Sequence, residues 1–509
     1  AAGVAFGKVL CVLRQSGEQD GFKRALAQHM PSAQIVFQAQ EDVRGDAVAC
    51  ARVMQEQGAL EALLWIEGEQ GEGEGDDSST WLLALLQALS TAGVACKRVL
   101  LAVQSQTPQA QAWHEAWIGV ERSLRQTLPL TRLSVHIQAA EGATVSPDDW
   151  AQRLAAELQA GEASSLWQEG RRHVSRVRRL PMAGQVQGTQ LRQGGTYLIT
   201  GGAAGLGLLF ARHLAQRYGA RLVLTGRSAL DASKQQQLDQ LQAAGAQVLY
   251  VQAHVSDPAA MQDAVRQGVE RFGGIRGVIH AAGVQGQPSL RETTSQDWQH
   301  VLAPKVQGTQ VLDDVLQGQP LDFVCYFSSS SAILGDFGAC DYAVGNRYLQ
   351  AFARERNLRV ARGQAAGKTV AIAWPLWAEG GMGEADTPQT HLYLKSSGQE
   401  ILRAEQGVPA FERVLETDSA APLVMLGQTT RIERMLGLQT RAAATALAGK
   451  PRPASRLASP LTVRSGASRR VELRGLSLAQ CVAWDLRQLA SELSGIGREQ
   501  LDDEQNLAD

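Results

Sequence analysis

Short apolar runs recur along the chain and are separated by stretches with helical spacing. K-V-L-C-V-L at 8–13 reads as a strand buried on both faces. A helix-like stretch at about 20–29 follows, then a strand near 34–38. Ala62 to Ile66 and Arg98 to Val103 are further strand candidates, with a helix from Trp81 to Leu89 between them. From Thr196 the alternation becomes regular. Strands T-Y-L-I-T (196–200), R-L-V-L-T (221–225) and Q-V-L-Y-V (247–251) each lead into a helix, near 206–218, 231–244 and 258–271. G-V-I-H (277–280), D-F-V-C-Y-F (322–327) and T-V-A-I-A (369–373) complete the set. Strands alternating with helices predict right-handed crossovers and an α/β fold: a small parallel unit, then a doubly wound parallel sheet. Beyond about Gln439 an Ala/Pro/Ser/Arg-rich stretch reads as a linker. Leu478, Val482, Leu486, Leu489 and Leu493 then mark one helix, read as the start of a further domain that is cut off.

Composition narrows the function. At 509 residues, two or more domains are expected. A net charge of -2 and few aromatics argue against a nucleic-acid or membrane-surface partner. Six scattered cysteines read as reduced thiols of a cytoplasmic protein, and the nine histidines form no metal-ligand pattern. No apolar run is long enough to span a membrane. The five arginines between Arg171 and Arg179 read as a solvated connector between the two units.

The two units differ at their turns. In the first, E-G-E-Q-G-E-G-E-G-D-D (67–77) stands where a phosphate-binding turn belongs, and its acidity repels a pyrophosphate. In the second, T-G-G-A-A-G-L-G runs from Thr200 to Gly207, after a strand and opening a helix. Its glycines (Gly201, Gly202, Gly205, Gly207), with Ala203 and Leu206, form a seat for a dinucleotide pyrophosphate. The next strand ends at Thr225-Gly226-Arg227-Ser228 without an acidic residue. A guanidinium there suits a 2′-phosphate, which favours NADPH. After the third strand, Asp257 or the backbone near Val255 could hold adenine, although Asp257 before Pro258 is equally a helix cap.

The densest chemistry lies between Lys305 and Asn346. Ser329 precedes Tyr342 by thirteen positions, Lys305 by thirty-seven, and Asn346 follows it by four. Hydride delivery to a ketone leaves an alkoxide that needs a proton. Tyr342 is the candidate donor, Lys305 an ammonium that favours its phenolate, and Ser329 a polarising hydroxyl. Asn346, one turn along, can position Lys305 or a water. W-P-L-W-A-E-G-G-M-G (374–383) reads either as a mobile lid or as a packed aromatic corner.

These motifs resemble the short-chain dehydrogenase/reductases and, more closely, the ketoreductase domains of bacterial modular polyketide synthases. H-A-A-G-V (280–284), P-K-V-x-G-T (304–309), F-S-S-S-S-A-I-L-G (327–335), D-Y-A-V-G-N (341–346) and W-P-L-W-A-E-G-G-M (374–382) carry the likeness. The resemblance implies two Rossmann-like subdomains: a truncated, cofactor-free structural one (1–182) and a catalytic one (183–438). A linker (439–472) and the beginning of an acyl carrier protein (473–509) would follow. It implies Tyr342 as proton donor, Ser329 as carbonyl partner, and Lys305 and Asn346 as supports. It adds His254, Ala281, Ala282, Gly283 and Pro375 to the NADPH contacts. Gln287, Leu334, Phe337, Trp377 and Met382 would border the substrate. The implied substrate is a β-ketoacyl chain on the phosphopantetheine of an acyl carrier protein, among the other modules of a synthase.

Three places depart from the family. His254 stands where an Asp is usual. Gln285, Gly286 and Gln287 replace the Leu-Asp-Asp of B-type enzymes; Leu312-Asp313-Asp314 is expected on a later helix. Leu334 replaces the A-type tryptophan. The missing Asp at Gln287 leans the expectation to A-type, the L-configured alcohol. A free-standing dehydrogenase for a small alcohol and a noncatalytic scaffold are the alternatives. The carrier-like tail disfavours the first, and the intact Tyr342 and glycine turn disfavour the second.

Overall fold

The computed structural model describes residues 6–14, 19–67, 79–139, 145–160, 163–180, 190–286, 289–336, 340–382 and 387–438. All of these lie in one compact unit, Ala1–Gln439. The expected linker and carrier-like helix therefore fall outside the described residues, as do Gln287, Phe337, Gly383 and most of the acidic glycine-rich stretch.

Two sheets form the unit. The first holds β1 (Lys8–Leu13), β2 (Gln34–Ala39), β3 (Leu60–Glu67), β4 (Cys96–Gln104), β5 (Arg132–Gln138), β6 (Ser165–Gln168) and β7 (Arg171–Val174). Its order is β2-β1-β3-β4-β5-β6-β7, parallel throughout except for the last pair. The second holds β8 (Thr196–Thr200), β9 (Arg221–Gly226), β10 (Gln247–Gln252), β11 (Gly277–His280), β12 (Phe323–Ser329) and β13 (Lys368–Trp374). It is wholly parallel, in the order β10-β9-β8-β11-β12-β13. This is the doubly wound arrangement expected from the strand–helix alternation. Its switch point lies between β8 and β11, and ligands of such sheets bind at the carboxyl ends there.

The Arg-rich connector is a correction. Its first four residues are β7, paired antiparallel with β6. Glu169 (φ 51°) and Gly170 (φ 68°) form the two-residue turn, which requires positive φ at both positions. Arg172 forks onto Glu157 at 2.7 and 2.8 Å, so this part is sheet edge rather than solvated linker.

The two halves share a core. Trp81, Trp117 and Leu124 of the first half join Val344, Tyr348 and Phe352 of the helix Cys340–Ala361 in one buried cluster. That helix packs against helices Pro108–Ala116 and Ile118–Thr127 on one side and against β12 and β13 on the other. A helix covered on both sides must pair whatever polar groups it buries. Arg347 meets Glu115 at 2.8 Å, and Arg354 meets the same carboxylate. The two guanidinium charges hold Glu115 down at about 2 against the opposing effect of burial. Arg356 bonds Asp313, Thr369 and the carbonyls of Ala366 and Gly367, all at 2.7–2.9 Å. Asp313 lies on the helix Gln307–Val315, the later helix expected for the Leu-Asp-Asp run.

Candidate active site

The glycine turn leaves β8 and opens the helix Gly205–Tyr218. Gly201 sits at φ 66°, and a Cβ there would meet the backbone of Ala281 and Ala282 at 3.2–3.3 Å. A Cβ on Gly207 would collide with the Gly201 carbonyl. Side chains are thus excluded where a pyrophosphate would approach the first amides of the helix, and the cradle fits the expected cofactor. Gly202 N–H bonds the Thr225 carbonyl at 3.2 Å, tying the turn to the end of β9. Ala203 is buried and Leu206 half-buried.

Arg227 and Ser228 are exposed just beyond β9. The Gln252 side chain donates to the Arg227 carbonyl at 3.1 Å, and the Tyr250 hydroxyl to that of Ser228 at 2.6 Å. These bonds fix the backbone and leave the Arg227 side chain at the surface. His254 is exposed and accepts the Ser256 N–H at 3.3 Å. Val255 is buried against Gly308. Asp257 accepts the Ala260 N–H at 3.1 Å with Pro258 at the first helical position, so the cap alternative is realised.

His280 closes β11 and explains how turn and strand are joined. It is fully buried. Its Nε2 donates to the Pro304 carbonyl at 2.9 Å, so Nδ1 accepts the Thr200 hydroxyl at 2.7 Å. Burial, with the Lys305 charge, pushes the imidazole down to about 3 and keeps it neutral. Ala282 N–H bonds the Thr200 oxygen at 3.3 Å, and Gly283 lies beside the Lys305 ammonium.

Lys305 ends the helix Ser295–Lys305 and is 3 % exposed. Its Nζ donates to the Phe327 carbonyl of β12 at 2.8 Å. Desolvation lowers it to about 8. Ser329 is the last residue of β12, and its hydroxyl accepts the Ser331 N–H at 3.2 Å. Tyr342 lies in the first turn of the helix Cys340–Ala361, and the Ser329 and Asn346 side chains act on its phenol. Asn346 Nδ2 donates to the Tyr342 carbonyl at 2.8 Å. Its Oδ1 is buried without a protein partner among the described residues. The Ser328 hydroxyl donates to the Asn346 carbonyl at 2.9 Å and seats the helix on the strand.

The electrostatics differ from the expectation that an ammonium makes the phenol more acidic. Burial, then the Asp336 charge, pushes Tyr342 up to about 12, and the Asn346 and Ser329 side chains only partly oppose this. The Lys305 proton is engaged by the Phe327 carbonyl instead. Asp336 and Asp341 escape the motif reasoning altogether. Asp341 is buried and raised to about 6 by desolvation, with one oxygen accepting the Tyr342 N–H at 2.7 Å. A carboxylate adjoining the tyrosine in D-Y-A-V-G-N was the available signal.

The residues expected around the substrate separate. Leu334 is half-buried at the end of the short helix Ser331–Leu334. Met382 is exposed, and its Cε would be 3.6 Å from a Cβ on Gly283. Trp377 lies deeper than its neighbours in the loop. It is 2 % exposed, with Phe210 and Trp374 against its ring and Gly407 under it, so it anchors the loop in the core. Pro375 is buried beside it. The packed-corner alternative therefore describes Trp374 to Trp377, while Gly380 extends to the glycine turn, where a Cβ would be 2.8 Å from the Gly205 carbonyl carbon.

A family profile described as "KR domain" matches residues 195–379. "Polyketide synthase PksM" of Bacillus subtilis (strain 168) is 38% identical over 518 residues, which cover 98% of this chain and 12% of that protein. "Polyketide synthase ThaG" of Burkholderia thailandensis is 37% identical over 461 residues, 84% of this chain and 8% of that protein. The chain thus spans about a tenth of these relatives. Among solved structures, a ketoreductase domain from the bacillaene assembly line is similar with a TM-score of 0.67 and 27% identity, covering 86% of this chain and 96% of that one. Among the described residues, no helix is long and apolar enough to cross a membrane.

Proposed function

The chain belongs to the polyketide synthase ketoreductase-domain family, and from that premise we propose that it uses NADPH to reduce the β-keto group of an acyl-carrier-protein-bound β-ketoacyl thioester. The observation that carries this reading is that the Ser329 and Asn346 side chains act on the Tyr342 phenol, with Lys305 buried under Gly283 and Gly345.

In the proposed reaction a bound nicotinamide supplies hydride to the carbonyl carbon. Ser329 donates a hydrogen bond to the carbonyl oxygen, and Tyr342 gives that oxygen its proton as negative charge develops. Lys305 holds positive charge next to the cleft, in a water-poor setting where it acts strongly. Asn346 fixes the Tyr342 backbone and offers its unpaired Oδ1 to a water that returns the proton. Gly201, Gly202, Gly205 and Gly207 would hold the pyrophosphate, and Arg227 the 2′-phosphate. The exposed guanidinium at the end of β9, with no acidic residue beside it, supports NADPH over NADH. The lack of an Asp at Gln287 favours the L-configured alcohol. Residues 1–182 serve as a cofactor-free support and 183–438 as the catalytic part, followed by a linker (439–472) and the start of a carrier protein (473–509).

The test is NADPH oxidation with a β-ketoacyl N-acetylcysteamine thioester, followed by chiral chromatography of the alcohol. Tyr342→Phe should lower kcat by about a hundredfold or more. Equal turnover by wild type and Tyr342→Phe would refute the assignment.

A further inference from the structure

The helix Ile118–Thr127 belongs to the first-sheet half, yet it touches the chain on both sides of Tyr342. A Cβ on Gly119 would lie 2.6 Å from the Ala343 carbonyl oxygen and 2.9 Å from the Val344 nitrogen. Only a glycine permits this approach, at the residue that follows the tyrosine. One turn on, Ser123 is fully buried. Its hydroxyl accepts the Asp336 N–H at 2.9 Å and donates to the Gly119 carbonyl at 3.2 Å. Gly335, at φ 84°, packs on the same spot: a Cβ there would sit 2.7 Å from the Arg122 carbonyl carbon and the Ser123 nitrogen.

Asp336 is thereby held where its charge reaches Tyr342, and also Cys340, Asp341 and Tyr393 of the helix Pro388–Ser397. The other groups around the phenol are Ser329 from β12 and Asn346 from its own helix. Lys305 lies under Gly345, and Asp297 of the helix Ser295–Lys305 bears on Asp341. Of these, Asp336 is the acidic group that acts on the phenol itself. A carboxylate whose charge reaches a phenol penalises the phenolate.

We propose that Ser123 and Gly119 are positioning residues for Tyr342: they hold the chain on both sides of it, at Asp336 and at Ala343, so that the first-sheet half sets the pH range over which the phenol keeps its proton. This rests on the reading of Tyr342 as proton donor. The reduced half is then more than a prop, because it reaches the reacting group through one hydroxyl and one backbone N–H.

The test compares wild type, Ser123→Ala, Asp336→Asn and the double variant in two measurements. One is the pH profile of kcat. The other is the ultraviolet tyrosinate titration of the cofactor-free protein, with the Tyr342→Phe curve subtracted. Asp336→Asn should move the alkaline limb and the Tyr342 titration to lower pH by about one unit. Ser123→Ala should move both the same way by less, and the double variant no further than Asp336→Asn. An unmoved titration in Asp336→Asn, or a Ser123→Ala shift that adds in full, would overturn the proposal. Asp336→Asn keeps its backbone bond to Ser123, so it tests the carboxylate even if Ser123→Ala does not fold. A wild type without turnover would sink the donor reading instead, while the titration would still report on Asp336.

Discussion

Lowering the pH from 7 to 5 should destabilise this fold through three buried imidazoles. His114, His136 and His280 are all buried. Burial pushes His114 and His136 down to about 4 and His280 to about 3, from 6.5. For His136 the neighbouring Glu157 opposes this without reversing it. A depressed imidazole is neutral in the fold and charged in the unfolded chain at acid pH. Its contribution is therefore complete above 6.5 and is lost as pH falls toward the folded value. Between 6.5 and 5 each group costs roughly 2 kcal/mol, at 1.36 kcal/mol per unit. Three such groups give roughly 6 kcal/mol. Asp341, raised to about 6, works the other way and returns roughly 1 kcal/mol over the same interval. Glu115 and the other carboxylates lowered by their partners act only below about 4.5 and are silent here. The net loss approaches the whole stability of an ordinary domain. Urea unfolding followed by tryptophan fluorescence at pH 7 and pH 5 should show the midpoint falling by on the order of 1 M. A midpoint unchanged or higher at pH 5 would refute the reasoning.

Three further outcomes follow from the geometry. Gly207→Ala should abolish NADPH binding, read as nicotinamide fluorescence enhancement, because the added Cβ strikes the Gly201 carbonyl and deforms the turn. Arg227→Ala should raise the KM for NADPH more than that for NADH; equal rises would remove the 2′-phosphate assignment. Arg356→Met should destabilise the fold by about 3–5 kcal/mol, read by thermal unfolding, since it breaks a buried pair with Asp313 and frees the carbonyls of Ala366 and Gly367.

The second sheet is legible because its strands are covered by helices on both faces and so read as near-continuous apolar runs such as T-V-A-I-A. The same rule hides β5. Arg132–Gln138 carries Ser134 and His136 inside a buried strand, where Ser165 of the neighbouring strand meets His136 at 2.8 Å and Glu157 lies 3.4 Å from it. Two helices of the first half are absent from the apolar pattern but present in their caps. Asp46 accepts the N–H groups of Val48 and Ala49 at 2.9 Å, and Thr107 with Pro108 opens the next. The β6–β7 hairpin escapes because its turn, Glu169-Gly170, places a non-glycine residue at positive φ.

At the site, spacing carries position but not charge. The interval from Ser329 to Tyr342 is legible because a strand end and the next helix hold the two residues. The ionisation of the group they form depends on burial and on Asp336, whose place is set by Ser123, more than two hundred residues earlier in the chain. Tyr342 rises to about 12 while Lys305 falls to about 8. Both shifts favour the neutral form, as desolvation demands. For Lys305 the folded state resists the charge below about 8, a penalty relieved as pH rises toward 10.5, where the unfolded chain also loses its proton. One neighbour meets the needs of both groups, an oxygen that gains negative charge: it attracts the Lys305 ammonium and accepts the Tyr342 proton. A ketone accepting hydride in the cleft is such a neighbour. The site is therefore better matched to the developing alkoxide than to its own resting state.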